Sequence, residues 1–348
     1  MQFDPNIRYQ CVQCGKSCQR DWDIWVRPEL PQQIRSSYRE IASQAALPFE
    51  NVDERWRIRR NSNGCVCLDA DSLCEIHRTL SYDHKPYRCQ QYPVMLLRTP
   101  DGLRVSASYT CTAVLSRHGP PLEQLRPQVQ EWSQGSFFVE EVGSPQDWPD
   151  VLALEEHFEH LLAQSGWQPA LEQILSGLLS GHLDQLPGPP LTWWKGYRNQ
   201  PTHLTHCLPW LLSALLKPCF KNRDPEVWTA FDSAMQNKSG RLRLDEFTYQ
   251  GSAVQLLDWA QTPADSETEL EYYRKSLWFR RQHLRCGGIL SGFLMLWSVQ
   301  PLYRVLSRLD GCHAAIERIE LNLLGHSQAA PRVFPLLGKF WLDGFPST

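Results

Sequence analysis

Cysteine placement constrains this chain more than any other feature. Eight of its twelve cysteines fall in the first 111 residues: Cys11, Cys14, Cys18, Cys65, Cys67, Cys74, Cys89 and Cys111. The other four, Cys207, Cys219, Cys286 and Cys312, are scattered over the remaining 237. A dense set of this kind is either a disulfide framework or a metal-holding set. Disulfide frameworks suit short secreted chains, and the start MQFDPNIRYQ lacks the basic-then-apolar pattern of a secretory signal. The expectation is a cytoplasmic protein whose clustered cysteines bind metal.

Spacing narrows the choice of metal. Cys11, Cys14 and Cys18 form C-x2-C-x3-C, with Gly15 between the second and third. Glycine there lets the backbone turn, so several sulfurs can face one centre. Structural zinc usually takes two C-x2-C knuckles of similar design, and here only Cys11 and Cys14 form one. Iron–sulfur sites accept one compact run plus remote cysteines, and Cys65, Cys67, Cys74, Cys89 and Cys111 supply the remote set. Iron–sulfur is therefore preferred to zinc, with buried unligated thiols as a third reading. Eight cysteines suffice for one four-iron cluster with four left over, or for two sites. Radical S-adenosylmethionine enzymes commonly use C-x3-C-x2-C, the reverse of the order found here. If residues 65–67 are extended, Cys65 and Cys67 share a face and both reach one centre.

The segments CVQCGKSC (11–18), GCVCLDADSLCEIH (64–77) and KPYRCQQYP (85–93) resemble the YkgJ-type, or CxxCxxCC, zinc- or iron-chelating domain family. Cys11, Cys14, Cys18, Cys65, Cys74 and Cys89 match its cysteines. Ser17 stands where the family has the first cysteine of a doublet, and Cys67 stands where it often has phenylalanine. Lys85 and Gln90 replace arginines. Within the family the chain is more similar to the flagellin lysine-N-methylase branch, through Trp22-Asp-Ile24, LCEIHRTLSYDHKPYRCQQYP, SASYTC ending at Cys111, and a helical C-terminal part carrying SLWFRR. That resemblance implies a bound 4Fe-4S centre and methyl transfer from S-adenosylmethionine to a protein lysine. No glycine-rich nucleotide loop follows a strand in the sequence, so the S-adenosylmethionine expectation rests on the resemblance alone.

The expected fold is mainly α, an irregular cysteine-rich metal-binding N-terminal domain followed by a helical C-terminal region. Residues 1–118 read as loops and short elements held together by the metal. Residues 119–190 form an acidic helical segment: between 121 and 190 there are 11 Asp and Glu, and Arg126 is the one Lys or Arg. Its acidic face reads as solvated, with docking on the basic C-terminal part as the alternative. Residues 191–348 form a helical domain behind the breaker-rich LPGPPLTWW (186–194). Asp224 before Pro225 marks a helix start. The uncharged run CGGILSGFLMLWSVQPLY (286–303) just reaches spanning length, but its glycines, serines, glutamine and proline favour a core helix, so no membrane span is expected.

Other features carry less. FDSAMQNKSGRLRLDEF (231–247) puts Met235 where an EF-hand needs its first carboxylate, so it reads as a helix and turn. His157/His160 and His203/His206 lack a third ligand and read as surface or capping residues; His77 and His84 are the better secondary ligands. Trp193, Trp194 and SLWFRRQHLR read mainly as core, and Cys207, Cys219, Cys286 and Cys312 as small buried hydrophobes. A net charge of −3 gives no expectation of nucleic-acid binding. Two functions follow: a protein-modifying enzyme acting on a protein substrate, or a non-catalytic metal-binding interaction module. An exposed cluster beside acidic or tyrosine groups favours the first, and a closed site the second.

Overall fold

The computed structural model describes residues 1–34, 48–135, 137–143, 148–180, 204–220, 224–238, 240–244, 249–286, 288–324 and 332–334. They fall in two compact units, Met1–Arg98 with Gly102–Glu141, and Thr99–Asp101 with Val142–Thr348. The chain is mainly α, and beyond residue 150 helices dominate. Residues 119–141, part of the acidic segment by charge, belong to the first unit.

Short strands and shorter helices make up the first unit. Val94–Thr99 and Gly102–Ala107 are neighbours in a four-stranded sheet, joined by Pro100-Asp101. Gln2–Phe3 adds to one side and Val139–Glu141 to the other, both in parallel. Asp4 is 1% exposed and accepts from the Ser106 hydroxyl at 2.8 Å, which fixes the first strand. A second sheet holds Trp25–Val26, Arg55–Ile58 and Phe49–Val52, all antiparallel. Its hairpin turns on Asp53 and Glu54, both at positive φ as a tight two-residue turn requires. Beneath it lies a small core of Leu30, Ile34, Phe49, Ile58, Cys67 and Ile76. Few large side chains close this core, but the same unit also buries Ile7, Leu96, Val105, Leu122, Val129 and Trp132, so it has more apolar core than its interrupted sequence suggested.

The second unit is built on the helix Ile289–Asp310, most of whose residues are buried. It packs against Trp167–Ser180, Ala253–Gln261 and Cys312–Ile319. Its most apolar 18-residue window is 94% buried inside the protein, and it is the one helix among the described residues long and apolar enough to cross a membrane. Gly292 permits a close approach: a Cβ there would lie 2.0 Å from the His283 carbonyl oxygen. The helix Pro225–Gln236 starts as its sequence predicts, with the Asp224 carboxylate accepting from Glu226 N at 2.9 Å. The calcium-like stretch continues as that helix and the strand Arg241–Leu244, and Asp232 bonds Ser213 and Lys217 instead. Glu246, Trp193, Trp194 and residues 186–194 lie outside the described residues.

Two readings of charge and histidine change here. The acidic segment does dock in part: Glu155 is 8% exposed and binds Arg281 through two nitrogens at 2.7 and 2.6 Å. Charge counting cannot tell which carboxylate of an acidic helix turns inward. His157 is fully buried rather than a surface or capping residue, because Leu154, Phe158 and Leu161 place its side of the helix Trp148–Ser165 in the core. His160 meets Gln164 at 2.9 Å.

Candidate metal centre

Four short elements, each shaped by a local backbone constraint, carry four of the cysteines. Cys18 sits in the helix Lys16–Gln19, whose preceding Gly15 has φ +66°. A Cβ on Gly15 would meet Ser72 Cβ at 2.9 Å, so glycine lets the first cysteine run pack on the 69–74 loop. Cys65 ends the strand Gly64–Cys65. Gly64 has φ +112°, and a Cβ there would lie 2.4 Å from the Cys18 carbonyl oxygen. That close approach holds the two cysteine-bearing backbones together. Cys74 precedes the helix Glu75–Thr79 and bridges to Leu68. Cys89 lies within the helix Tyr87–Gln91.

These thiols sense one another. Burial pushes Cys18 up to about 11, and the charges of Cys65 and Cys74 add to it, while the Ser17 hydroxyl and Lys85 oppose. Burial raises Cys89 far above the thiol range; Lys85 opposes, and Cys18, Cys65 and Cys74 reinforce it. Cys74 is raised by burial and by Cys65. Cys18, Cys65, Cys74 and Cys89 are therefore near enough for charge on one to act on others, and Lys85 acts on Cys18, Cys74 and Cys89 with the opposite sign.

Cys67 adjoins this group, and the charges of Cys65, Cys74 and Cys89 all act on it. The strand stops at Cys65 and a turn follows, so the two residues are not on one extended face as the spacing suggested. Cys67 is 1% exposed and belongs to the apolar core. Its thiol donates to Cys65 and its backbone N–H lies 3.4 Å from the Cys65 sulfur. Donation favours the Cys65 thiolate and pushes Cys67 upward.

Cys11, Cys14 and Cys111 form a second group. Cys11 and Cys14 are exposed, while Cys111 is half-buried before the helix Thr112–Leu115. Burial raises Cys111, and the charges of Cys11 and Cys14 add to it. Cys14 Sγ lies 3.7 Å from Thr112 Oγ1. Three tyrosines border the group. Tyr9 senses Cys11 and Cys111, Tyr92 senses Cys111 and Cys14, and Tyr82 senses both Cys11 and Cys89, placing it between the two sets. Burial is the main cause in raising all three phenols, Tyr82 to about 12.

The His77 backbone N–H bonds to the Cys74 sulfur. His84 meets the Ser81 hydroxyl at 2.8 Å, and His77 packs edge-on against Tyr82. Among the described residues, no three His, Cys, Asp or Glu side chains stand at a spacing that would hold a single ion. The donor set is nonetheless of the right chemistry: soft, crowded, mutually disfavouring one another's charge, and with a cation alongside. Such thiols gain most from a metal that takes up their negative charge.

Two of the four late cysteines are small buried side chains, as expected. Cys219 and Cys286 are buried, their thiols facing the Leu215 and Gln282 carbonyls. Cys312 is half-buried, and the Cys207 side chain lies outside the described residues, as do His203 and the side chain of His206.

Sequence reasoning missed the Arg280–Glu320 pair of the second unit. Arg280 and Tyr273 both bind Glu320, which is fully buried. Arg281 adds Asp101 to Glu155, and His283 lies 3.3 Å from Glu155. The basic SLWFRR run was the available signal, since arginines amid aromatics and leucines are placed for burial with a partner.

No protein-family model matches this chain, and neither a curated protein nor a solved structure does.

Proposed function

We propose that the first unit is an iron–sulfur module, with Cys18, Cys65, Cys74 and Cys89 as ligands of a four-iron cluster. The observation that carries this is the convergence of four separate elements: the Gly64 backbone closes on the Cys18 carbonyl, and Cys65, Cys74 and Cys89 pack against one small core. As free thiolates they would be a poorly compensated group; ligated, their charge is neutralised and the small core gains the binding free energy as folding free energy. The module would supply redox or Lewis-acid chemistry when loaded. Cys67 donates to one ligand sulfur. Cys11, Cys14 and Cys111 form a more open second set of soft donors, and zinc remains the alternative occupant of either set.

The resemblance to lysine N-methylases makes methyl transfer to a protein lysine from S-adenosylmethionine the enzymatic reading. Support for an enzyme would come from the second set, where exposed Cys11 and Cys14 are bordered by Tyr9 and Tyr92, whereas the partly buried four-cysteine set fits a closed module equally.

Anaerobic purification followed by absorption spectroscopy and iron, sulfide and zinc analysis tests the metal reading. A visible thiolate-to-iron band with matching iron and sulfide, lost in Cys18→Ser and Cys89→Ser, is expected. Zinc without sulfide would transfer the site to the alternative, and protein free of both metals would end the proposal.

A further inference from the structure

The helix Tyr87–Gln91 carries one candidate ligand, Cys89, and beside it two residues of a separate groove. This groove has a volume of about 540 Å³ and lies wholly within the first unit. Volumes of this order hold small organic ligands. Trp25, Tyr87, Phe137 and Phe138 give it aromatic surface, and Arg27 and Arg88 give it charge. Glu29 is the one carboxylate among the lining residues, so the lining keeps a net positive charge.

Its parts are held in place. Gln91 clamps the 137–138 segment in both directions, donating to the Phe138 carbonyl at 2.8 Å and accepting from Phe138 N at 3.1 Å. Phe138 is thereby fixed although it is 45% exposed. The rings of Tyr87 and Phe137 stand 4.5 Å apart. Arg27 lies over the Tyr87 ring at 4.8 Å and donates to the Tyr87 hydroxyl at 2.7 Å, leaving the phenol proton free to donate. The Arg88 guanidinium lies 3.7 Å from the Phe138 ring centroid. Among the described residues its side chain makes no hydrogen bond, and the Glu140 carboxylate acts on its charge from outside the lining. A guanidinium resting on a ring face keeps its N–H edges available in its own plane, the geometry that binds an oxyanion bidentately.

We propose that this groove binds a small ligand in which a flat ring carries an oxyanion, with the ring on the aromatic wall and the anion at Arg88 and the Tyr87 hydroxyl. Carboxylate and phosphate share that chemistry. The inference does not depend on the metal reading, since every residue it uses lies outside the cysteine set.

Isothermal titration of the full-length, metal-analysed protein tests it with two anionic probes, adenosine monophosphate and indole-3-carboxylate, against adenosine and inorganic phosphate alone. Saturable binding of at least one anionic probe is expected, and the probe that binds identifies the anion. Adenosine and free phosphate should bind that site roughly tenfold more weakly or worse, because each lacks one half of the recognition. Arg88→Ala should weaken the bound probe by roughly tenfold or more, and Arg88→Lys should recover only part of this because it keeps charge without the flat fork. Phe138→Leu serves as a second variant that leaves every charge in place, and it too should weaken binding. Unchanged metal content in the variants separates loss of the groove from loss of the cysteine site. The proposal is overturned if neither anionic probe binds at millimolar concentration, if adenosine or phosphate binds as well as the anionic probe, or if Arg88→Ala leaves affinity unchanged.

Discussion

Cys65 receives both a thiol and a backbone donor from Cys67, and Cys67 itself feels the charges of Cys74 and Cys89 from its place in the apolar core. Hydrogen bonds to a ligand sulfur raise a cluster's reduction potential by stabilising the more negative reduced state. Cys67→Ala should therefore keep its iron, lower the potential, and destabilise the unit by roughly 1–3 kcal/mol through the lost core side chain. Cys65→Ser should lose iron outright. Iron analysis with redox titration of both variants checks this, and equal metal loss in the two would make Cys67 a ligand. In the second unit Arg280 is the clearest single site. Arg280→Met leaves Glu320 fully buried beside Tyr273, and removing one partner of a buried pair costs about 3–5 kcal/mol. Urea unfolding should show that loss, and Arg280→Met with Glu320→Leu should recover much of it.

Gly64 decides whether two cysteine-bearing elements can meet. Gly64→Ala adds a Cβ 2.4 Å from the Cys18 carbonyl oxygen at a φ of +112°, so either the 64–65 strand or the Cys18 helix must move. The expected outcome is lost metal together with backbone strain of roughly 1–3 kcal/mol. Gly102→Ala is the control: φ is +130° but no atom lies within 4 Å of the added Cβ, so strain alone should appear and metal content should hold. Metal retained in Gly64→Ala would separate the two cysteines. These elements also show what was legible beforehand. CGKSC displays its turn glycine openly, and the helix starting at Asp224-Pro225 reads directly from its cap. Which cysteines gather was not legible, because Cys111 joins Cys11 and Cys14 across 97 residues, and only the folded sheet and the 108–112 turn bring them near. Groove residues Arg27, Arg88 and Phe138 gave no periodic signal either, being contributed by three separate segments. The burial of Glu155 depends on Arg281, 126 residues away, a pairing no local pattern encodes.

Acid acts on the two units through different groups. In the first, the proposed ligand thiols would have to lose protons to bind metal, so falling pH should set protons against metal and favour its release. In the second, His157 is fully buried, and neither ring nitrogen has a hydrogen-bond partner among the described residues. Burial, with His160 nearby, holds its pKa below the ordinary histidine value. The folded unit thus keeps this imidazole neutral at pH values where the unfolded chain protonates it. Below about pH 6.5 the unfolded state then binds the extra proton, so the stability associated with a neutral His157 is present above that pH and declines as pH falls through it, until the depressed folded pKa is reached. His157→Leu removes the titration while keeping an apolar side chain in the space. Urea unfolding of the full chain across the range from about pH 7 to 5 should show a shallower acid decline in the variant than in the unaltered protein. Metal analysis at each pH keeps loss of the cysteine centre separate from loss of the helical unit. Parallel pH profiles for the two proteins would remove His157 as the acid-sensitive group and pass that role to the Glu155–His283 pair, which stands 3.3 Å apart.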